Sequence, residues 1–124
     1  MVCIDFEAVG HWAEVNGVPY VSYADLSQRK EVAAILKEAF IRVNAALPET
    51  LKLYRFVSLH KEFDPDDGEI TRTRKLRRKV VEERYAPVIT ALYDGSSEVH
   101  MTAIVTYETG ETSSVERTLL VWEV

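Results

Sequence analysis

One cysteine in 124 residues rules out a disulfide framework, since Cys3 has no partner within the chain. A domain of this size does not need one to form a core. The same scarcity removes cysteine-based metal sites, and His11, His60 and His100 lack the close spacing of zinc ligands. A single free thiol fits a reducing compartment. No stretch approaches the roughly 18 apolar residues of a membrane span, and Met1–Phe6 is too short and too acidic for a signal peptide. Also missing are a Gly-x-x-x-x-Gly-Lys phosphate loop and a nucleophile elbow. Asp64, Asp66 and Asp67 are acidic enough for a calcium loop but lack its twelve-position pattern and terminal Glu. They read as a plain turn, and no metal site is expected.

What the chain does have is concentrated. Six of its fifteen basic residues fall in Arg72-Thr73-Arg74-Lys75-Leu76-Arg77-Arg78-Lys79, leaving nine basic against twenty acidic side chains elsewhere. A cationic strip on such a background is costly to assemble unless it meets an anion or a carboxylate-rich neighbour. The acidic remainder argues against general nucleic-acid binding, though not against a local phosphate site.

Hydrophobic periodicity gives an α+β chain without repeats or linkers. Val2–Phe6 reads as a strand and Glu7–Val15 as a short helix ended by Asn16-Gly17 and Pro19. Asp25 or Ser27 is placed to cap a long helix to about Leu47, whose Val32, Ile35, Leu36, Ala39, Phe40 and Val43 make a wide stripe expected to be buried. Pro48 stops it, and Leu51–Leu59 reads as a strand. Asp64–Gly68 is a turn by composition. A helix is expected from Leu76, with Leu76 facing inward, and Pro87 should split it after Tyr85. Asp94-Gly95 ends it, and the segments around Thr109-Gly110 alternate as a hairpin. Trp12, Tyr85, Tyr93 and Trp122 read as packing residues. The fold expected is a small mixed sheet of short strands with packed helices and a C-terminal β-hairpin.

Thr71 and Thr73 alternate with Arg72 and Arg74, which predicts an extended segment presenting Lys75 just before a helix. A compact ammonium on a flexible stem suits charge that builds on oxygen during a reaction. Arg77, Arg78 and Lys79 fall in a first helical turn, where the macrodipole disfavours cations. That placement points to an external anionic or acidic surface. The chain offers no second constellation of acid, base and nucleophile, so it does not carry a complete active site.

Gly68-Glu69-Ile70-Thr71-Arg72-Thr73-Arg74-Lys75-Leu76-Arg77-Arg78, followed by Val81-x-x-x-Tyr85 and Leu92-Tyr93, closely resembles the carboxy-terminal region of long-chain fatty-acid–CoA ligases of the AMP-forming, adenylate-making superfamily. The resemblance takes in the opening Val2-Cys3-Ile4-Asp5, Trp12-Ala13 and Phe56-x-x-Leu59-x-x-x-Phe63. It implies that residues 1–124 are the mobile cap domain of such an enzyme, cut from a longer chain whose amino-terminal adenylation domain lies upstream. In this family a fatty acid and ATP give an acyl-adenylate and pyrophosphate, and coenzyme A then displaces AMP. The family's catalytic lysine falls on Lys75. Thr71, Arg72, Thr73 and Arg74 would support its loop, Arg77 and Arg78 would meet phosphates or interdomain acids, and Asp67 and Gly68 would form the hinge-proximal turn.

The resemblance further implies ATP, Mg2+ and coenzyme A for the full-length enzyme, with no cofactor in this piece, and ATP/AMP, fatty acid and CoA as the parent's ligands. A cytoplasmic, bacterial parent is expected, with peripheral membrane association left open. Two positions depart from the pattern. Much of the superfamily has Gly where this chain has Arg74, and many long-chain ligases have Pro where it has Arg72. Alternatives from other classes are a free-standing anion- or nucleic-acid-binding module, or a protein-docking module, using residues 72–79.

Overall fold

The computed structural model describes the backbone of residues 1–124 and every side chain except those of residues 105 and 106. Asp5 has left the expected first strand to cap a helix. Its carboxylate accepts from the Ala8 amide at 3.0 Å, and α1 runs Phe6–Val15. Of the opening segment only Val2 pairs in a sheet-like way, through one parallel bridge to Ser58.

Two helices replace the single long one. Ser22 takes the cap position expected of Asp25 or Ser27, accepting from the Asp25 amide at 3.1 Å, and α2 runs Tyr23–Ser27. The Asp25 carboxylate in turn accepts from the Val21 amide at 3.0 Å, a variant of capping-box reciprocity. After Gln28, α3 runs Lys30–Ala45 with no side-chain cap. Its apolar stripe is a correction to the sequence reading. Only Val32 and Ala33 are buried, while Ile35 and Val43 lie exposed. Periodicity identifies the face of a helix, not whether this chain covers it.

The strand expected over Leu51–Leu59 shrinks to β1, Arg55–Val57, preceded by a 3-10 turn at Glu49–Leu51. Downstream, α4 spans Arg78–Arg84 and α5 spans Ala86–Asp94, with Tyr85 between them and Pro87 in the first turn of α5. Proline splits the pair as its missing N–H requires. Gly95 ends α5 in the left-handed region, φ 83°. Strands β2 (Glu98–Thr106) and β3 (Thr112–Glu123) form the hairpin, paired Glu98 with Leu120 and Thr106 with Thr112. Its loop is closed by Gly110 at φ 83°, whose amide donates to the Tyr107 carbonyl at 2.9 Å, with the Tyr107 amide donating to the Glu111 carbonyl at 2.8 Å.

The class is α+β. Three antiparallel strands stand in the order β1-β3-β2, and the parallel component is the Val2 bridge alone. One core cluster joins Val57, Leu59, Val81, Tyr85, Val88 and Leu119, between the sheet and helices α4 and α5. A second joins Ile4, Ala13, Leu26 and Val32 among α1, α2 and α3. Gln28 links the halves, donating to the Ser58 carbonyl at 2.8 Å and accepting from the Leu120 amide at 2.8 Å. Among the described residues no helix is long and apolar enough to cross a membrane.

Arg55 ties α5 to the sheet. Its guanidinium donates to the carbonyls of Ala91 (3.0 Å), Leu92 (3.1 Å) and Ser96, where the helix has no carbonyl partners of its own. Replacing Arg55 with Leu should therefore cost about 3 kcal/mol, the scale of lost charged hydrogen bonds in a half-buried setting. Urea unfolding of the two proteins measures it, and equal midpoints would refute the clamp.

Candidate functional site: an anchored lysine turn

The site begins with the turn at Asp64–Gly68. The Asp64 carboxylate accepts from the Asp66 amide at 2.7 Å, and Gly68 takes φ 74°, a conformation that costs glycine little. The chain then doubles back as a small hairpin. The Arg77 amide donates to the Glu69 carbonyl at 2.9 Å, Ile70 bridges Leu76, and the Thr71 amide donates to the Lys75 carbonyl at 2.8 Å.

Residues 71–75 are thus a tight turn and not the extended segment that alternation predicts. The Thr71 hydroxyl accepts from the Lys75 amide at 3.0 Å and lies 3.0 Å from the Thr73 hydroxyl. The Arg74 amide closes on the Thr71 carbonyl at 2.8 Å. Short polar side chains that bond nearby backbone favour such turns over strands. Arg74 sits at φ 62°, the one non-glycine residue with positive φ among the described residues. Leu76 is correspondingly exposed and does not face the core, and the helix begins two residues later than expected, at Arg78.

The side chains of Arg72, Arg74, Lys75, Arg77, Arg78 and Lys79 are exposed. None of them forms an ion pair among the described residues. Arg77 occupies the N-cap of α4 without a side-chain cap bond, and the first turn holds no acidic residue. Lys75 projects at the end of the turn into solvent.

What holds the turn lies beneath it. Glu69 is 0% exposed. One carboxylate oxygen meets the Lys61 ammonium, with the Arg84 guanidinium at 3.7 Å, and the other accepts from the Tyr85 hydroxyl at 2.7 Å. Lys61 also pairs with Asp67 at 2.7 Å, and Arg84 donates to the Asp67 carbonyl at 2.8 Å. A buried carboxylate with two hydrogen-bond donors and a second cation nearby is satisfied, and its partners come from two separate parts of the chain, Lys61 and the adjacent pair Arg84 and Tyr85. Asp67 and Gly68, expected only as a turn, are part of this anchor. Tyr85, expected as packing, packs and donates, while Tyr93 is 89% exposed and packs on nothing.

Burial pushes the Tyr85 hydroxyl far above its ordinary range, and the hydrogen bond to Glu69 adds to it. Burial works to lower the Lys61 ammonium, but Asp67 and Glu69 outweigh it and the net shift is upward. Sequence reasoning missed Glu69 and Lys61. The available signal was weak: a glutamate among inward-facing positions beside a turn, with partners eight and sixteen residues away.

No family model matches the chain, and no solved structure does. Two curated proteins do, one from Mycobacterium tuberculosis (strain ATCC 25618 / H37Rv) and one from Mycobacterium bovis (strain ATCC BAA-935 / AF2122/97), each named long-chain-fatty-acid–CoA ligase FadD15. The likeness is to a fatty-acid–CoA ligase. In each case 33% of 95 residues are identical, covering 76% of this chain and 16% of the ligase. That supports the ligase family without singling out a member, and the chain corresponds to a small part of its relatives' length.

Two outcomes are expected. Glu69→Gln should lower stability by about 2 kcal/mol, below the usual cost of breaking a buried pair because Lys61 is one-third exposed and keeps Asp67. Amide exchange at Thr71 and Lys75 should quicken with it, and unchanged exchange would disconnect the anchor from the turn. The second outcome concerns alkali. Lys61 and Tyr85 both have folded values above their unfolded ones of 10.5 and 10.0. Their contributions are complete below about pH 10 and drain away as pH rises through the folded values. Urea midpoints should fall above that pH, with a shallower fall in Tyr85→Phe.

Proposed function

We propose that this chain is the carboxy-terminal cap of an AMP-forming long-chain fatty-acid–CoA ligase, and that Lys75 supplies the ammonium for its adenylation step. The observation that carries the reading is an exposed, unpaired lysine on an internally anchored turn, in a chain similar to a fatty-acid–CoA ligase. The left-handed backbone at Arg74 supports it as well. Glycine, which much of the superfamily has at this position, adopts that conformation freely.

On this reading the upstream adenylation domain binds ATP, Mg2+ and the acyl chain, and no residue of this chain is assigned to the metal. A carboxylate must be pressed against the α-phosphate in the first step, and the repulsion of two anions opposes it. Lys75, delivered on its turn into a cleft that excludes water, stabilises the charge shared between them. The anchored base holds the backbone while the long side chain reaches, so little ordering remains at the moment of reaction. Once the acyl-adenylate exists, that cation has no task there, which gives rotation of the cap a purpose before coenzyme A attacks. Arg77 and Arg78, which form no ion pair among the described residues, supply contacts to phosphate or to acids of the adenylation domain.

The test uses the full-length parent. Lys75→Ala should slow acyl-adenylate formation by at least about a hundredfold, the scale for losing one preorganised charge-stabilising donor. Transfer to coenzyme A from a supplied acyl-adenylate should fall far less. Lys75→Arg should also be poor at adenylation, because a guanidinium does not replace a compact ammonium at a fixed point. Full adenylation by both variants would refute the assignment. It would favour instead a docking or polyanion-binding strip, for which charge and not residue identity matters and affinity falls with salt.

A further inference from the structure

A cavity of about 550 Å³ opens between the β2–β3 hairpin and the segment from His60 to Asp67, with Arg84 and Tyr85 also lining it. Two of its groups have no counterpart. His60 is 9% exposed, and its Nδ1 atom is buried with no hydrogen-bond partner. Arg117 stands on β3 opposite Met101, half-buried, with no ion pair or side-chain hydrogen bond among the described residues. The other cations lining the cavity, Lys61 and Arg84, are committed to Asp67 and Glu69. The Tyr85 hydroxyl is likewise used by Glu69. Asp66 also lines the cavity, with an exposed carboxylate that makes no ion pair among the described residues. Met101 and Ala103 supply an apolar wall.

We propose that this cavity binds an organic oxyanion, a phosphate ester or a carboxylate, whose charged group is held by Arg117 beside the His60 ring while its apolar part lies along Met101 and Ala103. A free guanidinium fork suits two oxygens of one anionic group, and the His60 ring lines the same cavity. The field supports the sign. Burial lowers the affinity of His60 for a proton, and Lys61 and Arg117 lower it further against an opposing Glu69. An anion at the floor would relieve that field. The site does not involve Lys75 and stands whether or not the adenylation reading does.

The test follows the His60 imidazole by NMR in the whole 124-residue chain, titrated separately with inorganic phosphate, octanoate and sodium chloride. Phosphate or octanoate should shift the resonance saturably and raise the pH at which His60 titrates, and chloride should not. Saturation by phosphate assigns the site to phosphate esters, and saturation by octanoate alone assigns it to carboxylates. Arg117→Gln should weaken the binding at least about tenfold, as expected for a lost charged hydrogen bond. Arg117→Lys, which keeps the charge and guards against a folding defect, should weaken it less. The double variant Arg77→Gln with Arg78→Gln should leave it unchanged. No saturation with either anion would overturn the proposal. So would an effect matched by chloride, or binding lost in the Arg77 and Arg78 variant but kept in Arg117→Gln.

Discussion

The buried carboxylate of Glu69 is the interaction on which the lysine turn depends. A charge out of water is unfavourable by several kcal/mol unless it is paired and hydrogen-bonded. Glu69 satisfies that demand with Lys61 beyond β1, Arg84 at the end of α4 and Tyr85 at the junction with α5. The segment after β1 and the junction of α4 with α5 must therefore both be in place before this carboxylate can be. The same demand fixes the backbone at Glu69, whose carbonyl accepts from Arg77, so both strands of the small hairpin leave a common base. Lys75 is positioned by a group that it does not touch.

The arrangement separates two kinds of charge. Beneath the turn, acids and bases are matched around one fully buried carboxylate, Glu69, with its charged partners partly exposed. Above it, six basic side chains stand exposed with no internal acid to meet them. Self-repulsion within the strip is tolerable in water, where screening works over about 10 Å. It would be far more costly in a closed cleft without anions to receive it. The chain matches only 16% of the length of the fatty-acid–CoA ligases it resembles.

What the sequence disclosed was local. Pro87 split α4 from α5, Gly95 ended α5 and Gly110 closed the hairpin, because each acts through its own backbone geometry and needs no distant partner. The basic strip was equally plain. Failures came where tertiary context decided. Asp5 preferred a helix cap to a strand, Ser22 took the cap that Asp25 was expected to provide, and the stripe of α3 was left partly uncovered. Glu69 was illegible for the same reason: nothing in Gly68-Glu69-Ile70 announces that Lys61 and Tyr85 will converge on it. His60 and Arg117 are fifty-seven positions apart, so their shared cavity has no sequence signature either.

Arg74 joins the two levels. A left-handed backbone at an arginine is unfavourable by about 1–2 kcal/mol relative to ordinary conformations. The Thr71 hydroxyl and carbonyl hold the turn closed around it, and Glu69 holds the turn's base. Glycine would relieve that strain but would enlarge the unfolded ensemble and loosen the turn. Arginine instead adds a charge beside Lys75 and a stiffer backbone. The chain can keep this conformation because the anchor below is strong, so the charge above the turn and the buried pair beneath it belong to one mechanical unit.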